Sequence, residues 1–407
     1  MKIPFALHDT IRRLMRRGVR FLQPWTVDVG DDVDPARISP HGVVIYPGCR
    51  IYGPTTAISA GAVLGRETPV TLEDCRLGPG VELAGGYFAR SVFLERARLG
   101  SGAQVREACL LEEQASGAHC VGLKHTILFP FVTLGSLVNF CDCLMAGGTS
   151  RRNHSEVGSS YIHFNFTPHG DKATPSLLGD VPRGVLLDRP PIFLGGQGGL
   201  VGPLHLGFGN VVAAGTVLRR DVPAEGRLVF DPPPPRRANA PHRPRPLARL
   251  ERIVRRNETY LGNLAALARW YAEVRRPFFA DQELGPALHD GAVEVLRAAV
   301  EERCRRLADL AEHAGPANTR AGSALRRRLA ARVEQLRERL AGDTTPRAGR
   351  RHRDAFLAAL ERARRPGAGY LETIQALPPP PRPAPPPPPA PPPAPAPRPP
   401  PPPPPPP

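Results

Sequence analysis

Aromatic side chains make up only 6% of this 407-residue chain, and no stretch of it is both long and apolar. A membrane helix needs roughly 18 apolar residues in a row, and none is present. Within the first 22 residues Asp9, Arg12, Arg13, Arg16 and Arg17 interrupt every apolar run, which excludes an ordinary secretory signal. A soluble, cytoplasmic protein is therefore expected. No disulfide framework is implied either. Cys49, Cys75, Cys109, Cys120, Cys141, Cys143 and Cys304 are odd in number and scattered. Cys141 and Cys143 stand too close for a CxxC site, and with His154, His163 and His169 they form no recognised zinc spacing, so no metal is expected. Acidic residues are also short: Lys+Arg 54 against Asp+Glu 38 leaves +16. Nearly all the cations are arginine, which favours bidentate contacts to phosphate or carboxylate. No nucleic-acid reading motif accompanies that charge, so nucleic acid is not the expected partner.

Proline (52) and glycine (40) are in excess. Long helices tolerate neither, so both must be concentrated in particular segments. Residues 1–32 read as an amphipathic helix with a lead-in, Ile11, Leu14, Met15 and Leu22 forming its apolar face. Between 33 and 222 helical periodicity gives way to short strands punctuated by Gly and Pro. Leu194, Leu200, Leu206, Val212 and Leu218 recur every six residues. Ile45, Ile51, Ala57 and Val63 form a second register, and Leu99, Val105 and Leu111 a third. Period six is the hexapeptide signature of a β-helix, in which each coil has three flat faces with one inward aliphatic residue apiece. Stacked coils then share one core, and turns between faces favour Gly, Asn or Pro. An antiparallel sandwich would show period two instead.

The register breaks between about 140 and 192, where polar residues and prolines suit protruding loops. Residues 223–246 are a Pro/Arg linker. From 247 to 377 the pattern is helical and Arg-rich: Leu250, Ile253, Val254, Tyr260, Leu261 and Leu264 open it, and the arginine faces read as solvated surface. Residues 378–407 are a polyproline tail. Its composition fits both an exposed rod for a Pro-binding partner and a disordered end.

The stretch IFLGGQGGLVGPLHLGFGNVVAAGTVLRRDV (192–222) resembles the last coils of the acetyltransferase half of the bacterial bifunctional N-acetylglucosamine-1-phosphate uridyltransferase/glucosamine-1-phosphate acetyltransferase family. VGSSYIHFNFTPHGDKATPSLLGDV (157–181) is similar to that family's Asn-aromatic segment followed by a Lys, and LMRRGVRFLQPWTVDVG (14–30) to the join between its halves. The resemblance implies a left-handed parallel β-helix, a homotrimer, sites at subunit boundaries and acetyl-CoA as acyl donor. It also implies roles by residue match: Asn165, Phe166 and Lys172 against substrate, Gly196 and Ala214 against acetyl-CoA. Two departures stand out. No uridyltransferase half or Gly-rich nucleotide loop is present, so uridyl transfer is not expected. Aligning Ser136 and Val138 puts Phe140 where the family has its catalytic His, and phenylalanine accepts no proton.

Other residues in the break region could replace that base. His163 lies two residues from Asn165, so a strand would show both on one face; His154 and His169 are its rivals. Arg151, Arg152 and Lys172 are candidates for a phosphate, and Asp142, Glu156 and Asp171 complete the polar cluster. Two functions follow. One is acetyl-CoA-dependent acylation of a sugar phosphate or nucleotide sugar. The other is a non-catalytic sugar-nucleotide-binding or scaffold trimer that presents the helices and the tail.

Overall fold

A computed structural model describes residues 7–165, 172–230, 250–314, 319–342 and 347–378. Phe166, His169, Asp171, most of the Pro/Arg linker and nearly all of the proline-rich tail lie outside the described residues.

The repeat region is a parallel β-solenoid, followed by helices. Its first face is an eleven-stranded sheet that runs from Arg20–Phe21 to Leu228–Val229, so the repeat continues past residue 222. The second and third faces join into one sheet through two long strands, Gly122–Leu128 and Asn139–Met145, which pass from one face to the next. The six-residue spacing has a direct structural meaning. Leu194, Leu200 and Leu206 lie on the first, second and third faces of one coil, and Val212 and Leu218 repeat the first two. All five are buried in the interior cluster. Leu99, Val105 and Leu111 do the same one face at a time.

The second register needs correction after Ile51. Ile58 and Leu64, not Ala57 and Val63, join the interior cluster. The corner between them is one residue longer, with Gly53 at φ 93° and Thr55 donating through its N–H and hydroxyl to Asp74 Oδ1. The N-terminal helix is shorter than expected. It spans Asp9–Arg17 and stops at Gly18, whose φ of 117° only glycine adopts easily. Ile11 and Leu14 enter the solenoid core, whereas Met15 and Leu22 stay exposed.

The third face is buried on both sides. Its inward residues face the core, and its outward ones (Val92, Leu110, Ile127, Leu144 and Leu177) share a second cluster with Leu261, Leu264, Leu288 and Leu296 of the helices. The helices Leu250–Trp270 and Gly285–Glu312 therefore lie on this face, with Arg320–Ala341 packed behind them. Gly291 marks a close approach: a Cβ there would come within 2.1 Å of Arg76 Cδ.

The expectation of solvated arginine faces fails at this seam. Arg275 is buried and pairs with Glu113, while Tyr271, in the same wide π-type turn Tyr271–Arg275, donates to Glu112 Oε1 at 2.6 Å. Arg303 is buried against Asp142. Burial raises the Glu112 carboxyl to about 7 against the pull of Arg275. Among the described residues no helix is long and apolar enough to cross a membrane.

Candidate functional site

The structure distributes the sequence-selected residues over the solenoid interior and all three of its corners. His163 is inside. Its strand, Ile162–Phe164, alternates exposed, buried, exposed, and His163 pairs in register with the inward Leu200. Its Nε2 lies 2.9 Å from Ser176 Oγ, and its Nδ1 meets the Cys141 carbonyl. Burial lowers its pKa to about 4, so it is neutral at pH 7. His163 and Asn165 therefore do not meet a ligand on a shared outer face: strand alternation turns the histidine inward. It fills the core and cannot reach a substrate.

Phe140 occupies the neighbouring inward position. It is fully buried and meets Tyr161 edge-on, with ring centroids 6.3 Å apart. In this chain that position therefore contributes packing and no base. Groups on this strand that can leave the core are the exposed Asn139, the half-buried Cys141 and the corner residue Asp142. Asp142 is taken by Arg303 at 2.8 Å.

Arg151, Arg152 and His154 sit on a small hairpin, Gly148–Ser150 with Asn153–His154, between the third and first faces. Arg151 donates to the carbonyls of Gln114 and Phe131 and to Thr133 Oγ1 at 2.8–3.1 Å, so it braces the hairpin. Arg152 is exposed. His154 Nδ1 lies 2.9 Å from the Arg151 carbonyl, and Nε2 lies 3.7 Å from Glu156. With the proton on Nδ1, Nε2 keeps a lone pair on a partly exposed ring.

Asn165 and Lys172 flank the excursion between the second and third faces. The Asn165 carbonyl accepts from Thr174 Oγ1 at 2.7 Å. The Lys172 carbonyl accepts from Arg303 and that of Ala173 from Asn257, while the Lys172 side chain is exposed. The helices thus hold the backbone at Lys172 and Ala173.

Gly196 and Ala214 do come together, at the corner between the first and second faces on successive coils. Gln197 N donates to Ser159 O at 2.8 Å, and Gly215 N to Gly196 O at 2.9 Å. A Cβ on Gly196 would lie 2.9 Å from Ser159 O, and one on Gly195 would lie 2.3 Å from Ala214 N. That crowding gives a physical reason for glycine at this corner. An apolar column on the first face and one strand's apolar pair on the second flank this narrow ridge. On the first face Phe193, Val211 and Leu228 align in register with 40%, 42% and 67% of their surface exposed. On the second face Ile162 and Phe164 are also exposed.

No family model matches the chain. Over 231 residues it is 29% identical to "Bifunctional protein GlmU" of Kineococcus radiotolerans, covering 57% of this chain and 42% of that one. Over 214 residues it is 27% identical to the protein of the same name from Rhodococcus jostii, covering 53% and 38%. The solenoid resembles a hexapeptide-repeat acyltransferase of the GlmU type. This chain spans about two-fifths of the length of those relatives. A solved structure of LpxA from Acinetobacter baumannii aligns at 13% identity and a TM-score of 0.15, over 69% of this chain and 95% of that one, a fit too loose to add to the fold described above.

Proposed function

We propose that the chain transfers an acyl group from acetyl-CoA to a sugar phosphate or nucleotide sugar, working as a homotrimer. The observation that carries this reading is the small-residue ridge at Ser159, Gly196 and Ala214, beside the exposed apolar column of Phe193, Val211 and Leu228. A thin thioester arm can lie along such a ridge, where backbone amides are within reach of a developing oxyanion. Exposed apolar columns of this kind mark surfaces that a partner or ligand covers. A second copy placed against them would enclose the arm.

Within one chain Asn165 and Lys172 lie at the opposite edge of the second face from Gly196 and Ala214. Trimerisation is the assembly that would bring the two edges together across a subunit boundary. Lys172 and the exposed Arg152 would hold phosphate, Asn165 would fix the sugar, and His154 would take the proton through Nε2. The dispersal of these groups also supports a second reading, a non-catalytic sugar-nucleotide scaffold.

Release of free thiol from acetyl-CoA, followed over a panel of amino- and hydroxy-sugar phosphates, separates the two. The enzyme reading expects turnover that falls roughly 10²–10⁴-fold in His154→Ala. Turnover undiminished in that variant removes His154 from the chemistry. Absence of turnover across the panel with retained nucleotide-sugar binding supports the scaffold.

A further inference from the structure

The corner at residues 112–114, between the third and first faces, sits in a closed ring of contacts. The Tyr271–Arg275 turn reaches it from one side. Tyr271 donates to Glu112 Oε1, and Arg275 gives Nη1 to Glu113 Oε2 at 3.1 Å and Nη2 to Oε1. The Arg275 guanidinium also stacks on Tyr370, 3.7 Å from the ring centroid. Tyr370 opens the last helix, Tyr370–Gln375, and its hydroxyl accepts from Trp270 Nε1 at 2.9 Å. At the other end of that helix Gln375 donates to the Thr149 carbonyl of the small hairpin. Arg151 of the same hairpin closes the ring by donating to the Gln114 carbonyl at 3.1 Å.

The charges in this ring do not balance. Glu112, Glu113 and Arg275 are 2%, 7% and 1% exposed. Two buried carboxyls share one guanidinium, and both terminal nitrogens of that guanidinium go to Glu113. Among the described residues the Tyr271 hydroxyl is the donor to the Glu112 side chain. A buried carboxylate without a cation of its own is costly, and such a group keeps its proton instead. Burial raises the Glu112 carboxyl to about 7, with Glu113 adding to the rise and Arg275 and Tyr271 acting against it. Other charged groups stand around the ring. Glu95 and Arg96 occupy the corner one coil earlier, where the Glu95 carbonyl accepts from Gln114 N. Glu273, on the turn itself, pairs with Arg353 at 3.6 Å. His289 of the Gly285–Glu312 helix places Nε2 3.3 Å from the Tyr271 carbonyl and Nδ1 3.6 Å from Asp290.

We propose that Glu112 is a proton-operated latch on the last helix and the hairpin. The neutral acid leaves Arg275 on Glu113 and Tyr370; the carboxylate, its proton lost to solvent, draws Arg275 toward itself and off the Tyr370 ring. Arg275 Nε has no hydrogen-bond partner among the described residues, so a donor is free to meet the new charge. The wide π-type turn that carries Tyr271 and Arg275 is the element that takes up the shift. Tyr370, once released, gives up the Trp270 hydrogen bond, and Gln375 loses its hold on Thr149. The latch is closed in mild acid and opens as pH rises through about 7. It does not depend on the acyl-transfer reading, because it requires neither ligand nor turnover.

The test uses the full chain carrying Trp25→Phe, which leaves Trp270 as its one tryptophan. Trp270 emission is followed from pH 5.5 to 8.5, together with hydrogen exchange of residues 148–154 and 370–377 corrected for its intrinsic pH dependence. Emission passes through a single transition near about 7, and exchange in both segments rises about tenfold across it. Glu112→Gln holds the low-pH emission and the slow exchange throughout. Tyr271→Phe removes the donor that favours the carboxylate and moves the transition to higher pH. Histidine also titrates near neutrality, so His289→Gln is the control, and it leaves the transition in place. A flat Trp270 profile in the parent overturns the proposal. So does a transition that survives in Glu112→Gln or vanishes in His289→Gln, or exchange that ignores pH in both segments. If Glu112→Gln does not fold, an unmoved transition in Tyr271→Phe overturns it alone.

Discussion

Arg303, on the Gly285–Glu312 helix, donates to Asp142 at the second–third corner across 2.8 Å, although the two stand 161 positions apart in sequence. Both side chains are buried, and the same guanidinium reaches the Lys172 carbonyl at 3.3 Å. One arginine therefore holds a helix, a corner of the solenoid and the backbone at Lys172. Burial raises the Asp142 carboxyl even with Arg303 beside it, so removing the arginine leaves a buried carboxylate without its hydrogen-bonded partner, with only the more distant Arg306 and Lys124 charges acting against its desolvation.

Arg303→Met should then lower stability by about 3–5 kcal/mol in chemical denaturation. Adding Asp142→Asn should restore most of that loss, because asparagine is neutral and tolerates the positive φ at this corner. A double variant no more stable than the single one would show that the pair is not what anchors the helix.

His163 makes the fold sensitive to acid. Its pKa falls from about 6.5 to about 4 on folding, so the folded state disfavours its protonation. The stability associated with the neutral ring is full above about 6.5 and is lost as pH falls toward 4. A shift of that size corresponds to roughly 3 kcal/mol at the acid end. Unfolding midpoints measured from pH 7.5 to 4 should drop less steeply in His163→Leu than in the wild type. Identical slopes would contradict the buried placement.

Glu112 acts in the opposite sense. Its folded pKa of about 7 lies above the ordinary 4.5, so its contribution is full below 4.5 and is lost as pH rises through 7. Glu112→Gln keeps an oxygen for the Tyr271 hydroxyl and removes the ionisation. The variant should gain stability over the wild type at pH 8 and little at pH 5, as read by thermal unfolding. A loss at both pH values would assign Glu112 to the charged network around Arg275 instead.

The solenoid was legible because its physics is local: each face needs one inward aliphatic residue, and Leu194 to Leu218 repeat that demand without a break. The register starting at Ile45 misled after one turn, since a corner lengthened by a single residue looks the same in sequence as one that is not. Contact between the helices and the third face was harder to see. Arg303 follows Ala299 and precedes Leu307 by one helical turn each, on a buried stripe. That spacing was the available sign that an arginine points inward, and composition masked it. His163 was misjudged because a strand of three residues shows its alternation only once its neighbours in register are known. Gly196 and Ala214 came from family likeness, and the hydrogen bonds of their corner now place them on adjacent coils.

The central claim is that the Gly196–Ala214 ridge holds the acyl donor. Isothermal titration of the full chain with acetyl-CoA, compared between the wild type and Ala214→Trp, tests it most directly. Saturable binding by the wild type and its loss in Ala214→Trp, with the circular dichroism spectrum unchanged, is the predicted result. Absence of heat in the wild type, or an affinity unaltered by the tryptophan, would contradict it.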